Sequence, residues 1–221
     1  MASSRKKAAQ FAPPDLNQET RLWLAGCGAI AGVDEAGRGA LAGPVVAGAV
    51  VLPKGAKLAD IWAEVRDSKL LTPARREGMV DAIHQAAAGW AVGEASAQEI
   101  DAIGIAPATR LAMQRAIERL PARPDYLLLD WVRLATVNLP QESFTKGDRR
   151  IVSIAAASIL AKVHRDRLLV ALDRSYPGYG FASHKGYGAA SHLTAIATHG
   201  PCPAHRRSFS PMRQQSLFAL G

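Results

Sequence analysis

Apolar residues in this chain fall into short unbroken runs separated by stretches in which they recur every three or four positions, the pattern of buried strands alternating with helices. Ala29-Ile30-Ala31-Gly32-Val33 predicts a strand that ends on the acid pair Asp34-Glu35 and a glycine-rich turn. The run from Pro44 to Leu52 has the β-branched density of a central strand and is closed by Pro53-Lys54-Gly55. Thr72-Pro73 opens a helix, with Met79, Ile83, Ala86 and Ala87 at helical spacing as far as Gly89. A third strand follows over Trp90-Ala91-Val92-Gly93-Glu94-Ala95. Ala108, Leu111, Ala112, Ala116, Ile117 and Leu120 then mark a helix stopped by Pro121, and Tyr126-Leu127-Leu128-Leu129 predicts a strand that delivers Asp130. After a loop through Pro140 and Lys146-Gly147-Asp148 comes the longest helix, alanine-rich, from Ser153 to about Arg174. Tyr176-Pro177-Gly178-Tyr179-Gly180 breaks it, and a last helix is expected around Ser191 to Ala197. This order predicts an α/β domain with a mixed sheet over residues 25–175 and a helical C-terminal region over 176–221. Residues 1–24 carry no period apart from a short helix near Leu22-Trp23-Leu24, and are expected to form a mobile tail.

Length and composition narrow the class. A chain of 221 residues can bury a substantial core without staples. Its two cysteines, Cys27 and Cys202, lie far apart and outside any zinc-ligand spacing, so a disulfide framework is not expected and a reducing cytosol is. No apolar run has the length of a membrane span, and the start from Met1 to Pro14 has no apolar signal segment. The net charge of +8 points to a polyanionic partner through phosphate neutralisation. With only 6% aromatic residues, extensive base stacking is not the expected mode of contact.

The chemistry concentrates in the acids. Asp34 and Glu35 end one strand and Asp130 ends another, so parallel neighbouring strands would bring the three to one edge of the sheet. Asp166 lies on the long helix, on one face with Ser158 and Lys162. Gathered carboxylates repel and raise one another's pKa, so such a cluster implies divalent cations, Mg²⁺ or Mn²⁺, and a pair of ions suits hydrolysis of a phosphodiester. Surface or capping acids are the alternative. Gly37-Arg38-Gly39 follows the acid pair and would let backbone amides approach a ligand, with Arg38 suited to phosphate. A dinucleotide-binding loop is excluded, because a strand rather than a helix follows and two acids would repel a pyrophosphate.

Gly32-Val33-Asp34-Glu35-Ala36-Gly37-Arg38-Gly39 closely resembles the opening motif of the ribonuclease HII family. Further blocks resemble that family in its order: Asp67-Ser68-Lys69-Leu70-Leu71-Thr72, Lys146-Gly147-Asp148, residues 154–166, Tyr176-Pro177-Gly178-Tyr179-Gly180-Phe181, His184-Lys185-Gly186-Tyr187-Gly188 and residues 199–209. The resemblance implies a ribonuclease H-like mixed sheet flanked by helices, with a small helical C-terminal extension. It also implies an endonuclease acting on the RNA strand of RNA/DNA hybrids and at single ribonucleotides in duplex DNA, leaving 5′-phosphate and 3′-hydroxyl ends. By position, Asp34, Glu35, Asp130 and Asp166 match the catalytic metal ligands, Gly37, Arg38 and Gly39 the loop that reads the ribose 2′-hydroxyl, and Tyr187 (with Tyr179 nearby as the competing choice) the tyrosine that packs on the next sugar. Ser68, Lys69, Lys146 and Lys185 become candidate phosphate contacts, and Lys162 a partner for Asp166.

Two departures from the family pattern predict altered loop packing: Trp131 stands where glycine usually follows the third acid, and Gly104 where asparagine is common. Near the C-terminus, Gln214-Gln215-Ser216-Leu217-Phe218 resembles the peptide by which bacterial proteins dock on the sliding clamp; Leu217 and Phe218 packing on the chain's own core is the alternative. A monomer is expected. Two rival functions remain: another metal-dependent nuclease on the same fold, such as a junction resolvase or exonuclease, and a nucleic-acid binding protein whose acids are structural.

Overall fold

The computed structural model describes residues 12–66, 68 and 71–213. Lys69 and the Gln214, Leu217 and Phe218 peptide lie outside these described residues. Five strands form one mixed sheet in the order β3-β2-β1-β4-β5. In its centre β1 (Ile30–Ala36) runs antiparallel to β2 (Val45–Val51) and parallel to β4 (Tyr126–Asp130), while β3 (Gly89–Ala95) and β5 (Gln141–Phe144) form the edges. β5 is an addition to the predicted elements. Its polar residues give no apolar run, and it is recruited by parallel pairing to β4.

Alternation along the strands divides the core into two layers. Ile30, Val50 and Leu128 face the long helix α6 (Val152–Ser175), together with α1 (Asn17–Leu24) and α3 (Pro73–Ala86). Ala31, Val33, Ala47, Ala49, Leu127 and Leu129 face α5 (Ile105–Glu118). Both helices ride unusually close to the sheet, over glycines. A Cβ on Gly32 would lie 2.2 Å from the Ser153 carbonyl carbon, and one on Gly48 2.4 Å from the Ala157 oxygen. On the opposite layer a Cβ on Gly93 would lie 2.3 Å from the Ala112 oxygen. The alanine-rich sequence of α6 is thus a packing requirement as well as a helix preference.

The N-terminal boundary expected at residue 24 is corrected. α1 begins at Asn17, and Leu22 and Trp23 are buried in the α6 layer. Glu19 is fully enclosed and accepts a hydrogen bond from the Ser153 amide at 2.9 Å, which places a carboxylate on the N-terminal turn of α6. Two short helices also escape the periodicity reading, α2 (Asp60–Glu64) and α4 (Ala97–Ile103). C-terminal to α6, α7 (Phe181–His184) and α8 (Ala190–His199) close a third small core in which Tyr179, Phe181 and Ala195 pack with Ala42 and Leu169. This anchors the C-terminal region on the loop that follows β1.

Candidate active site

The parallel register pairs Val33 with Leu129, so the next residue on each strand, Asp34 and Asp130, sits at the same level of the sheet. Both continue the face that carries Ile30 and Leu128, beneath α6, and Glu35 follows on the other face. Carboxylate oxygens of Asp34, Glu35 and Asp130 nevertheless lie within 4.8 Å of one another. Asp34 is 3% exposed. Burial, then the charges of Glu35, Asp130 and Asp148, push its carboxyl well above the usual carboxylate range, against the opposing bond from the Glu35 amide at 2.7 Å. Glu35 is also raised by burial, with hydrogen bonds from Trp131 and the charge of Arg38 pulling the other way. Asp130 accepts from the Gly147 amide at 2.7 Å.

Trp131 directly follows Asp130 in a left-handed backbone conformation with φ +48°. That conformation costs a non-glycine residue about 1–2 kcal/mol. Here its indole N–H points between the two Glu35 oxygens at 3.0 and 2.9 Å, and the Arg38 guanidinium lies 3.9 Å from the ring centroid. Arg38 also approaches Glu35 at 3.4 Å.

Asp166 is not within the 4.8 Å group. Its carboxylate accepts from Lys162 at 2.7 Å, the predicted helical pair, and stands 4.0 Å from Arg76. Lys162 lies 5.6 Å from the ring centroid of Tyr187, which is 37% exposed. Tyr179, by contrast, is buried, and its hydroxyl donates to the Gly200 carbonyl at 2.7 Å. Both rings lie against α6, but Tyr179 is enclosed in the small C-terminal core, whereas Tyr187 presents an exposed ring near Lys162, one turn from Asp166.

Gly37 takes φ +92° and leaves no room for a side chain, since a Cβ would lie 1.9 Å from Arg165 Nε. The turn from Gly37 to Pro44 rests on two arginines that are 0% exposed. Arg206 donates to the carbonyls of Gly37, Arg38 and Gly43 at 2.7, 2.8 and 3.0 Å. Arg165 donates to those of Ala42, Pro44 and Lys185 at 2.9 Å each. Gly39 is exposed, and a Cβ there would meet nothing within 4 Å, so the crest of the turn is open to a ligand.

The remaining candidates are placed less tightly. Ser68 is buried, its amide on the Ser158 hydroxyl at 3.4 Å and its carbonyl accepting from Arg76 at 2.8 Å, which leaves little surface for a phosphate. Lys146 is exposed and precedes the turn whose Gly147 amide holds Asp130. Lys185 donates to the Ala182 carbonyl and lines, with Asp166, Arg76 and Arg167, a cleft of about 440 Å³. The sequence reading missed Asp148, Arg165 and Arg206. Asp148 had a signal, an acid inside the Lys146-Gly147-Asp148 block; the two arginines are indistinguishable in sequence from surface cations.

A buried carboxylate crowded by three other acids suits a hard, oxygen-seeking dication, so the residues present fit Mg²⁺ or Mn²⁺. The ribonuclease HII family model matches residues 31–212. A ribonuclease HII of Dehalococcoides mccartyi is 52% identical over 200 residues, covering 90% of this chain and 94% of that one. The crystal structure of the ribonuclease H2 from Pyrococcus horikoshii superposes with a TM-score of 0.73 at 26% identity, covering 87% of this chain and 100% of that one. The ribonuclease HII of Archaeoglobus fulgidus, solved as a complex with PCNA, gives 0.67 at 24% identity over 82% of this chain and 95% of that one. The sheet and its flanking helices are therefore the ribonuclease H-like fold, and the chain belongs to the ribonuclease HII family.

Proposed function

We propose that the chain is an endonuclease that hydrolyses the RNA strand of RNA/DNA hybrids and cuts at single ribonucleotides embedded in duplex DNA, leaving 5′-phosphate and 3′-hydroxyl ends. The observation that carries this is the convergence of Asp34, Glu35 and Asp130 at the ends of two parallel strands, beside a helix bearing Asp166. These four acids would hold Mg²⁺ or Mn²⁺, and two such ions supply an activated water and charge stabilisation for the leaving oxygen. To take part as a ligand, the Asp166 carboxylate would have to give up its bond from Lys162.

The chain's own groups then select the substrate. Arg165 and Arg206 draw the carbonyls of the glycine turn inward and fix its shape, so its crest can meet a ribose 2′-hydroxyl through backbone atoms without reading a base. The exposed ring of Tyr187 can pack on the neighbouring sugar. Lys146, which is exposed, and Lys185, which lines the cleft beside Asp166, would contact phosphates; Ser68 and Lys69 are assigned on resemblance alone. The unpaired thiols of Cys27 and Cys202 fit a monomer working in the cytosol.

A DNA duplex carrying one ribonucleotide, an RNA/DNA hybrid and an all-DNA junction, each titrated with Mg²⁺ and Mn²⁺, test the reading. Cleavage of the first two with the stated ends supports it; cleavage of the junction favours a resolvase, and salt-sensitive binding with no cutting favours a binding protein. Docking on a sliding clamp is a separate proposal. It rests on the Gln214, Leu217 and Phe218 peptide, because the Archaeoglobus likeness, at 24% identity, carries the fold alone. Loss of clamp binding on deletion of residues 214–221 supports it, and unchanged binding ends it.

A further inference from the structure

Trp131 belongs to neither the acid cluster nor the glycine turn, yet it touches both. Its indole N–H is shared between the two oxygens of Glu35 at 3.0 and 2.9 Å, so it fills the inner, chelating side of that carboxylate. Glu35 cannot grip one cation through both inner lone pairs without breaking this bond, and with Arg38 3.4 Å from Oε1 the outer lone pair of Oε2 is the one left open to the cluster. The ring's face carries Arg38 at 3.9 Å. Arg38 Nε is buried with no hydrogen-bond partner among the described residues, so this guanidinium is held chiefly by the ring and by Glu35. The backbone is locked as well: the Trp131 amide donates to the Phe144 carbonyl at 3.0 Å, on the edge strand, while φ stays at +48°. A residue kept in a conformation that disfavours its side chain, with that side chain bonded to a site carboxylate, is placed for the site.

We propose that Trp131 is a positioning residue that fixes Glu35 with one oxygen on the cation site and holds Arg38, the charged member of the glycine turn, in register with it. This rests on the metal-binding reading of the acid cluster. The metal shell and the substrate loop are thereby joined through one side chain.

The test is Mn²⁺ binding without substrate, followed by electron paramagnetic resonance on the full chain and its Trp131→Phe and Trp131→Gly variants, with circular dichroism to confirm folding. Wild type is measured first; if it binds no Mn²⁺, the metal reading falls and this proposal falls with it. Where wild type binds, Trp131→Phe keeps a ring for Arg38 but loses the N–H, and is expected to bind about 10-fold more weakly. Trp131→Gly relieves the backbone yet is expected to bind at least as weakly. Folded variants with wild-type affinity overturn the proposal. Should neither variant fold, the indole ¹⁵N–¹H resonance of Trp131 in wild type decides, assigned by its shift in Glu35→Gln. Movement of that resonance as Mg²⁺ saturates the site supports the coupling, and a resonance indifferent to Mg²⁺ refutes it.

Discussion

Asp34, Glu35 and Asp130 crowd three carboxylates at the end of β1 and β4, whereas Arg165 and Arg206 crowd two guanidiniums beneath the turn that follows. Both clusters gather like charge in the interior, and burial shifts members of both: Asp34 and Glu35 upward, the two arginines downward. They differ in how the charge is answered. Each arginine meets three backbone carbonyls, a set complete within the fold. Asp34 faces three neighbouring acids and a single opposing amide bond. The arginine cluster is therefore a finished part of the scaffold, and the acid cluster is unfinished until a cation arrives.

The sharpest way to break this comparison is Asp34→Asn, which keeps the acceptor for the Glu35 amide and removes one charge. Cleavage should fall by about 10³-fold, roughly 4 kcal/mol in the barrier, while the metal-free protein melts at a higher temperature than wild type at neutral pH. Full Mg²⁺-dependent activity in that variant would show that Asp34 is not a ligand.

Arg206→Ala should do the reverse, harming the fold first. It strands three carbonyls and should cost about 3–5 kcal/mol, each kcal/mol lowering the melting midpoint by about 2–4 °C in a chain of this size. Metal affinity of the surviving folded fraction should be nearly unchanged. A variant that melts like wild type would show that the turn does not need its brace.

The smallest effect is expected from pH. Asp34 and Glu35 have folded-state pKa values above their unfolded ones, so their contribution to stability is present below the ordinary carboxylate range and is lost as pH rises through the raised values. The metal-free midpoint should decline over that interval, and saturating Mn²⁺ should reverse the decline, by about 2.7 kcal/mol at a hundredfold excess over Kd. A midpoint rising with pH in the absence of metal would contradict the raised acids.

How far the sequence discloses these two clusters follows from their range in the chain. The acids are legible because each ends an apolar run, and strand ends are where the backbone delivers side chains to one edge. Asp166 and Lys162 are legible through helical spacing alone. The arginine brace is invisible: Arg206 reaches Gly37 across 169 positions, and nothing local distinguishes it from Arg207 beside it. β5 escapes because its partner, rather than its own composition, makes it a strand. α4 is a different case, since Ser96 and Glu99 form a capping box that the local pattern displays even though the apolar spacing does not. Trp131 reads in sequence as an odd substitution, and only the left-handed backbone and the indole bond to Glu35 give it a place.

The glycine contacts under α6 carry a mechanical consequence. With Gly32 and Gly48 pressed against its backbone, this rod has no clearance to slide or roll on the strands. Asp166 rides the same rod, so its travel toward the other acids is confined to rotation about its own side-chain bonds. A lysine one turn away holds that carboxylate at 2.7 Å, and a mutation that merely loosened this pair would change how the Asp166 side chain is oriented without touching the architecture that carries it.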